Sequence, residues 1–389
     1  MLVFKQNITV DITQGIRAYL NLKADVTRDG AVPGPRAAVN LETGVTRAGA
    51  VPGTRISDYA RRGLAELRAK LVGSGARKKV TGGARPKLVG SGASTEADGI
   101  RPENIIWIFG SGRSGSTWLS SMMGDIKGHT LWGEPWVGTL FGNYYYRGVD
   151  ERKHRAKYFI MGPHRETWLG SIRNFVLDGA NALFPRLGED GYLVIKEPNG
   201  SIGAPLMMEA LPESRMILLV RDPRDVVASS MDARREGGWN YERNKRYREK
   251  RKVLADENPV AFARGRARNY LEGMGKAKEA YDAHQGYKVL VKYEDLRVDT
   301  LGTMKRIYSE LGISVDEEEL ARIVEKHSWE NIPEGEKGEG KFYRKATPEG
   351  WKEDLTPEQA EVVEKVTAPL LKELYPYGGH SETLQRSSH

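Results

Sequence analysis

The amino-acid sequence predicts an α/β fold of three layers, with helices on both faces of a central parallel sheet and a P-loop-like turn after its first strand. Three observations predict it. Short apolar runs recur along the chain, each run is continuously apolar, and segments of helical character separate the runs. Uninterrupted apolar runs are typical of strands that are buried on both faces of a parallel sheet. Regular alternation of strand and helix favours right-handed crossover connections.

Four runs predict the strands. They are IIWIF (Ile105–Phe109), YLVIK (Tyr192–Lys196), MILLV (Met216–Val220) and KVLVKY (Lys288–Tyr293). In open parallel sheets, ligands bind beyond the carboxyl ends of the strands. The residues that follow each run are therefore the first candidates for a functional site.

Composition limits the classes of protein that need to be considered. The chain has 389 residues, of which 39% are hydrophobic and 29% charged, which is enough apolar material for a large core. The lack of cysteine excludes disulfides, thiolate zinc sites and a cysteine nucleophile. No apolar run approaches the ~18 residues of a membrane span. The first residues also lack a basic start followed by an apolar stretch, so we expect a cytoplasmic protein.

Residues 1–100 differ in character from the rest of the chain. They are rich in Gly and Ala and contain no Trp. The segment VTRDGAVPGPR recurs nearly unchanged as VTRAGAVPGTR, and the segment KLVGSGA occurs twice. Such repeats are too few and too unequal for a stacked solenoid. We therefore predict a partly disordered extension with one possible helix over residues 55–72, a main domain over 101–378, and a disordered tail over 379–389.

The net charge of +8 lies in that extension. Residues 1–100 contain 16 basic and 8 acidic side chains, whereas residues 101–389 contain 44 of each. The excess therefore suggests an anionic surface or partner for the extension and says little about the main domain. A non-enzymatic basic nucleic-acid-binding protein stays open as an alternative on this charge alone, although no motif supports it.

A glycine-rich segment follows the first predicted strand. It reads Gly110-Ser-Gly-Arg-Ser-Gly-Ser-Thr117 and leads into a helical stretch. Glycines let backbone N–H groups converge on an anion, and the start of a helix adds partial positive charge. The Walker pattern has a lysine where Ser116 stands, and Arg113 is the basic residue of this loop. A P-loop kinase-like phosphotransferase is therefore an alternative that Ser116 disfavours.

The loop and three later motifs resemble one family. G-x-x-R-S-G-[ST]-T-W resembles the 5′-phosphosulfate loop of the sulfotransferases that use 3′-phosphoadenosine 5′-phosphosulfate (PAPS). Arg221, followed eight residues later by Ser229, resembles the family's 3′-phosphate signature. KYEDL closes the last predicted strand as it does in the family, and FYRKATPEGWKEDLT (Phe342–Thr356) resembles its Arg-Lys-Gly segment. The four motifs keep the family's order over about residues 103–375.

The resemblance implies a phosphosulfate-binding turn and a set of donor-binding residues. In the family, the tryptophan at position 118 stacks on adenine, and the Arg-Lys pair at 344 and 345 closes over the 3′-phosphate. Ala346 stands where the family usually has glycine. The residues implied to bind PAPS are Ser111, Gly112, Arg113, Ser114, Gly115, Ser116, Thr117, Trp118, Arg221, Ser229, Tyr293, Arg344 and Lys345.

Sulfuryl transfer requires in-line positioning, stabilisation of charge and a base for the acceptor. The resemblance places Lys196 facing the donor, and Arg113 completes the cationic pair. Pro198 occupies the position of the histidine base of many cytosolic members. Glu134, in LWGEPW, is therefore our first candidate for the base, because its tryptophan neighbours could bury it and raise its pKa. Glu197 is the second candidate, and His129 and His164 are weaker ones. No metal is needed.

The sequence says little about the acceptor. Aromatic residues cluster after Glu134, which suits a small-molecule, lipid or carbohydrate acceptor, although core packing also explains most of them. Arg243–Lys252, which reads RNKRYREKRK, is either a solvated helix face or a rim that attracts an anionic acceptor. No nucleic-acid partner is expected, and the oligomeric state stays open.

Overall fold

The computed structural model describes residues 99–147, 159–187, 190–241 and 258–375. The predicted helix over residues 55–72, the rest of the N-terminal extension up to residue 98, the basic run Arg243–Lys252 and the predicted tail over 379–389 lie outside the described residues. Those four predictions therefore stay predictions.

Five parallel strands form one sheet in the order β2-β3-β1-β4-β5. Their bounds are β1 Ile105–Gly110, β2 His129–Gly133, β3 Tyr192–Lys196, β4 Arg215–Val220 and β5 Lys288–Lys292. Four of them match the predicted runs. The sequence reasoning missed β2, because HTLWG is short and mixed in polarity and forms a half-exposed edge strand.

Helices connect and flank the strands. They are α1 Ser116–Gly124, α2 Val137–Gly142, α3 Arg165–Leu183, α4 Ala204–Ala210, α5 Pro223–Asp232, α6 Pro259–Ala283, α7 Tyr293–Val298, α8 Thr300–Glu310, α9 Glu317–Lys326, α10 Trp351–Asp354 and α11 Pro357–Leu374. A π-helical turn, Asn143–Arg147, extends α2, and a 3₁₀ turn, Pro198–Gly203, links β3 to α4.

Strand β1 contributes to two hydrophobic cores on opposite faces of the sheet. Trp107 belongs to the core that contains residues of α3, α4, α6 and α11. Its neighbour Ile108 belongs to the core that contains residues of α1, α8 and α9. Successive side chains of a strand point to opposite faces, so these two cores lie on either side of the sheet. The predicted three-layer α/β/α fold with a parallel sheet is confirmed.

The predicted burial on both faces is correct for the middle of the sheet and wrong for β5. Every residue of β1 and β4 is buried, whereas β5 alternates between buried and partly exposed residues. Strand β5 lies at the edge of the sheet, where Lys288 and Lys292 remain partly exposed. Among the described residues, no helix is both long and apolar enough to cross a membrane.

Candidate active site

The glycine-rich loop after β1 takes a backbone path that two left-handed residues require. Arg113 has φ +76° and Gly115 has φ +88°. A β-carbon at Gly115 would lie only 2.5 Å from Tyr293 Cδ2, so the glycine is needed both for the backbone angle and for the packing of the tyrosine ring. The loop then enters α1 at Ser116, as the sequence predicts.

Arg221 extends from the end of β4 towards the same loop. Its Nη1 donates to Arg113 O over 3.0 Å, and its Cζ lies 4.2 Å from the centroid of the Tyr293 ring. Asp225 is the nearest carboxylate that pairs with it, at 3.9 Å, whereas Asp222 pairs with Arg224. The ion pair between Arg221 and Asp225 is therefore long. Pairing with a nearby carboxylate does not account for the position of the Arg221 side chain, which contacts the loop instead.

The side chain of Arg113 leaves its own loop and reaches helix α5. Its Nε donates to Ser229 Oγ over 3.0 Å and its Nη2 donates to Phe342 O over 2.8 Å. Its guanidinium also lies 5.0 Å from the ring of Phe342 and 5.5 Å from that of Trp239. The sequence reasoning assigned Arg113 and Ser229 to two separate anion sites, and the structure brings the two side chains into contact.

Burial and neighbouring cations lower the pKa of Arg113 to about 10. The cations are Arg221, Arg234 and Arg344, and the charge of Asp232 acts in the opposite direction. A partly buried cluster of arginines favours a bound anion, because an anion offsets the mutual repulsion of the cations. Arg234, in MDARR, was not singled out from the sequence, where it reads as an ordinary surface arginine.

Lys196, at the end of β3, points into the space between the loop and β2. Its Nζ donates to Thr117 Oγ1 over 3.2 Å and lies 2.8 Å from Glu134 Oε1. The other carboxylate oxygen of Glu134 accepts from Asn199 Nδ2 over 3.0 Å. A cation, a hydroxyl and a carboxylate from three different segments thus meet at the carboxyl edge of the sheet. Asn199 is a further polar residue that the sequence reasoning did not single out.

Glu134 and Glu197 occupy different environments, although both precede a proline at the end of a strand. The side chain of Glu134 is 32% exposed beside Lys196, whereas Glu197 is only 1% exposed. Glu197 Oε2 accepts from Trp136 N over 3.0 Å. The burial that we expected for Glu134 is therefore found at Glu197, and Glu134 is the more accessible of the two carboxylates.

Burial raises the pKa of Glu197 to about 7, and the charge of Glu134 is a smaller cause of the same rise. Backbone N–H groups of Trp136, Thr139 and Gly138 act in the opposite direction. The two histidines do not join this group. His129 opens β2, four residues before the carboxyl edge, and His164 precedes α3. No hydrogen bond within the described ranges links either histidine to Lys196.

Trp118 lies on the first turn of α1 and contacts both polar and aromatic groups. Its Nε1 donates to His327 O over 2.8 Å, and its ring makes an edge contact with Tyr293 at 6.4 Å between centroids. Arg297 Cζ lies 5.3 Å from the ring, and Arg297 Nε donates to Ala346 O over 2.9 Å. The proposed adenine-stacking residue is thus linked to the C-terminal Arg-Lys segment through one arginine.

Arg344 and Lys345 lie over acidic residues of helix α10. Arg344 forms an ion pair with Asp354, and Lys345 Nζ lies 2.9 Å from Glu353 Oε2 and 3.0 Å from Asp354 Oδ1. Ala346, which replaces the usual glycine of the family, has φ +51°. The chain therefore keeps a left-handed backbone there, at a cost of ~1–2 kcal/mol for a residue with a β-carbon.

Asp225 anchors this C-terminal segment to helix α5. It is fully buried, and its two carboxylate oxygens accept from Glu349 N and Trp351 N, each over 2.9 Å. The segment also carries Gly340, whose N donates to Asp232 Oδ2 over 3.1 Å. Residues 340–351 are thus hydrogen-bonded to α5, the helix that follows Arg221.

The polar groups present fit an anionic ligand. Ser114 Oγ and Arg221 Nε are buried and lack a hydrogen-bond partner among the described residues, so each has a donor to offer. Backbone amides and the start of α1 add further donors at the loop. For the described part of the chain, no cluster of three or more His, Asp or Glu residues could hold a metal ion.

Comparisons with known proteins identify a family for this chain. The family model described as "Sulfotransferase domain" matches residues 103–375. Rat sulfotransferase 2A2 is 24% identical over 178 residues, which is 40% of this chain and 55% of that protein. Human sulfotransferase 2A1 is 25% identical over 218 residues, covering 49% of this chain and 72% of that protein.

Two solved structures are also similar. The mouse sulfotransferase SULT7A1 complexed with PAP has a TM-score of 0.44 and 16% identity, covering 70% of this chain and 86% of that one. The sulfotransferase STF9 from Mycobacterium avium has a TM-score of 0.44 and 14% identity, covering 70% and 77% of the two chains.

The match to the domain model spans more than half of the chain. The protein therefore belongs to the sulfotransferase domain family, and its enzyme class is that of a sulfotransferase. The resemblance inferred from four sequence motifs is confirmed.

Proposed function

We propose that this protein transfers a sulfuryl group from PAPS to a hydroxyl or amine of an acceptor by in-line displacement. The observation that carries the proposal is the meeting of Lys196, Thr117 and Glu134 beside the glycine-rich loop, with an arginine cluster behind it. When bound, PAPS would supply an electrophilic sulfur and a phosphate leaving group. Arginine donates paired, charge-assisted bonds to phosphate, which suits Arg221 and Arg113 to this donor.

Glu134 is proposed as the general base. It is partly exposed, it follows an edge strand, and its carboxylate is held by Lys196 and Asn199. A base must lie within hydrogen-bond reach of the acceptor proton, and of the two carboxylates at this edge only Glu134 is accessible. The acceptor proton would pass to Glu134 as the new S–O or S–N bond forms.

Lys196 is proposed to stabilise the charge on the departing phosphate oxygen. It is nearly buried and is shared between Thr117 Oγ1 and Glu134 Oε1. A cation fixed in a partly water-excluded site stabilises developing charge more strongly than one in bulk water. Protonation of Glu134 would weaken its ion pair with Lys196. The lysine would then become available to the leaving group as the acceptor loses its proton.

The acceptor is proposed to be a small or lipid-like molecule with an apolar part beside its hydroxyl or amine. Trp136 immediately before α2, Leu140 within α2 and Tyr144 in its π-helical extension are spaced four residues apart. Their exposures are 55%, 54% and 48%. Exposed apolar side chains of this size beside a reactive group favour contact with an apolar ligand over contact with water.

An acceptor screen with sulfur-labelled PAPS tests the proposal. Apolar alcohols and amines, simple sugars and sulfated sugars would be offered in parallel, with and without EDTA. We expect labelled product from the apolar set, and equal yield with EDTA. A parallel arm with γ-labelled ATP and magnesium tests the kinase-like alternative, and transfer in that arm alone would refute the proposal.

A further inference from the structure

Two Glu-Pro dipeptides end neighbouring strands at the same level. Gly133, the last residue of β2, is in register with Lys196, the last residue of β3. Glu134-Pro135 and Glu197-Pro198 therefore leave the sheet side by side. Their side chains nevertheless separate, because Glu134 reaches Lys196 while Glu197 is buried against the backbone of Trp136.

The first dipeptide lies in a strained turn. Glu134 has φ +53° and Trp136 has φ +66°, so two residues with β-carbons adopt left-handed backbone angles within three positions. Residues 134–136 are called the elbow below. Such angles persist only where surrounding contacts hold them.

Two hydrogen bonds connect the elbow to the end of β3 and the residue that follows it. At its start, Glu134 N donates to Lys196 O over 2.8 Å. At its end, Trp136 N donates to Glu197 Oε2 over 3.0 Å. The same short segment, Lys196-Glu197, thus holds both ends of the turn that carries Glu134.

The carboxylate of Glu197 is closely surrounded by backbone. A β-carbon at Gly200 would lie 2.1 Å from Glu197 Oε1, so the backbone of the 3₁₀ turn packs directly on the carboxylate. On the other side, a β-carbon at Gly138 would lie 2.3 Å from Gly200 O, which shows how closely α2 packs on that turn. The carboxylate is therefore enclosed between the elbow and the 3₁₀ turn, away from any acceptor.

We propose that Glu197 is a positioning residue, whose carboxylate holds the elbow so that Glu134 stays within hydrogen-bond distance of Lys196. The inference rests on the proposed function in one respect, namely that Glu134 is the base. It assigns the second carboxylate of the site a role without contact to the acceptor or the donor.

The test compares Glu197→Gln with Glu197→Ala. The amide of Gln keeps an oxygen that accepts from Trp136 N, whereas Ala removes the acceptor. We expect Glu197→Ala to lower kcat by about 10- to 100-fold, with the affinity for 3′,5′-adenosine bisphosphate (PAP) unchanged, and Glu197→Gln to recover kcat to within about threefold of wild type. Amide hydrogen exchange over residues 134–142 should accelerate in Glu197→Ala and return towards wild type in Glu197→Gln.

Gln359→Ala is the matched control. Gln359 is also buried, and its Oε1 accepts from a backbone N–H, that of Thr356, at the start of α11. This variant should accelerate exchange locally at α11 and leave kcat unchanged. A general loss of stability would affect all three variants alike, so the contrast separates positioning from folding.

Three results would overturn the inference. Equal loss of kcat in Glu197→Gln and Glu197→Ala would assign a charge or base role to Glu197. Faster exchange at the elbow with unchanged kcat would make the contact merely structural. Unchanged exchange in Glu197→Ala would show that Glu197 does not hold the elbow, and this result stands even if the wild type transfers no sulfuryl group. Failure of the proposed function would instead appear as an inactive wild type.

Discussion

Arg113 Nε donates to Ser229 Oγ over 3.0 Å, and this bond joins the glycine-rich loop after β1 to helix α5 after β4. The two residues are 116 positions apart in the chain. In the family, the two motifs serve different ends of the donor. Here they are already connected, and Arg113 is shared between Ser229 and Phe342 O.

Ser229→Ala should weaken binding of PAP by about 10-fold. The variant removes a hydroxyl from the anion site and leaves Arg113 Nε without its partner, and hydrogen bonds to charged groups contribute about 1.5–3 kcal/mol. Titration calorimetry measures the dissociation constant. Ser171→Ala is the control, because Ser171 Oγ donates to Thr167 O on the exposed side of α3. Equal affinity in wild type and Ser229→Ala would exclude Ser229 from the site.

Glu134→Gln should abolish most turnover and keep donor binding. An amide cannot take up the acceptor proton, and general-base catalysis contributes about 10²–10⁴-fold. We expect kcat to fall by that factor and the dissociation constant of PAP to change by less than about threefold. The exposed Glu318→Gln, in the first turn of α9, is the control for loss of one carboxylate. Retained turnover would show that another group is the base.

Ala346 should tolerate glycine and reject valine. Its φ of +51° suits glycine, while a β-branched residue is strongly disfavoured at such an angle. Ala346→Val should therefore lower the Tm by roughly 2–4 °C per kcal/mol of strain and weaken PAP binding through Lys345, whereas Ala346→Gly should stay near wild type. Ala283→Val, at the end of α6, is the control. A Tm of Ala346→Val equal to wild type would show that the local backbone relaxes freely.

Glu197 should make stability depend on pH. Its pKa is raised by burial to about 7, above the usual ~4.3 of an exposed glutamate. The folded state therefore binds this proton more tightly than the unfolded state between these values. The free energy of unfolding falls as pH rises through this window.

Urea unfolding of wild type and Glu197→Gln between pH 5 and pH 8 measures this dependence. Relative to Glu197→Gln, the wild type should lose up to about 3 kcal/mol over the range. Other buried carboxylates with a raised pKa, such as Asp225 and Glu294, are common to both proteins and cancel in the difference. Parallel pH curves for the two proteins would contradict the assignment.

Much of the fold was predictable because continuous apolar runs mark buried parallel strands. A run such as Ile105–Phe109 contains no polar residue, so it predicts a strand that is buried on both faces. The residues that follow such a run lie at the carboxyl edge of the sheet. Strand β2 was missed because an edge strand needs no continuous apolar run. Without β2, the register of Gly133 with Lys196, which explains the contact of Glu134 with Lys196, was not predictable.

The site was predictable as a set of residues but not as a set of contacts. Spacing placed Arg113 and Ser229 in two motifs, yet the direction of a long arginine side chain depends on what surrounds it in three dimensions. The burial of Glu197 likewise depends on the packing of Gly138 on Gly200, which pairs residues 62 positions apart with no local signal. Arg234 joins the cluster only through the folding of α5 against the loop.

Donor binding at the arginine cluster is tested by calorimetric titration with PAP of wild type, Arg221→Ala and the control Arg173→Ala, whose partly exposed side chain pairs with Glu213. Arg221 combines burial, contact with the loop and an Nε without a hydrogen-bond partner among the described residues. We expect one-to-one binding by wild type and Arg173→Ala, and a dissociation constant roughly 10- to 100-fold higher for Arg221→Ala. Absence of binding by the wild type, or equal affinity in all three proteins, would contradict this expectation.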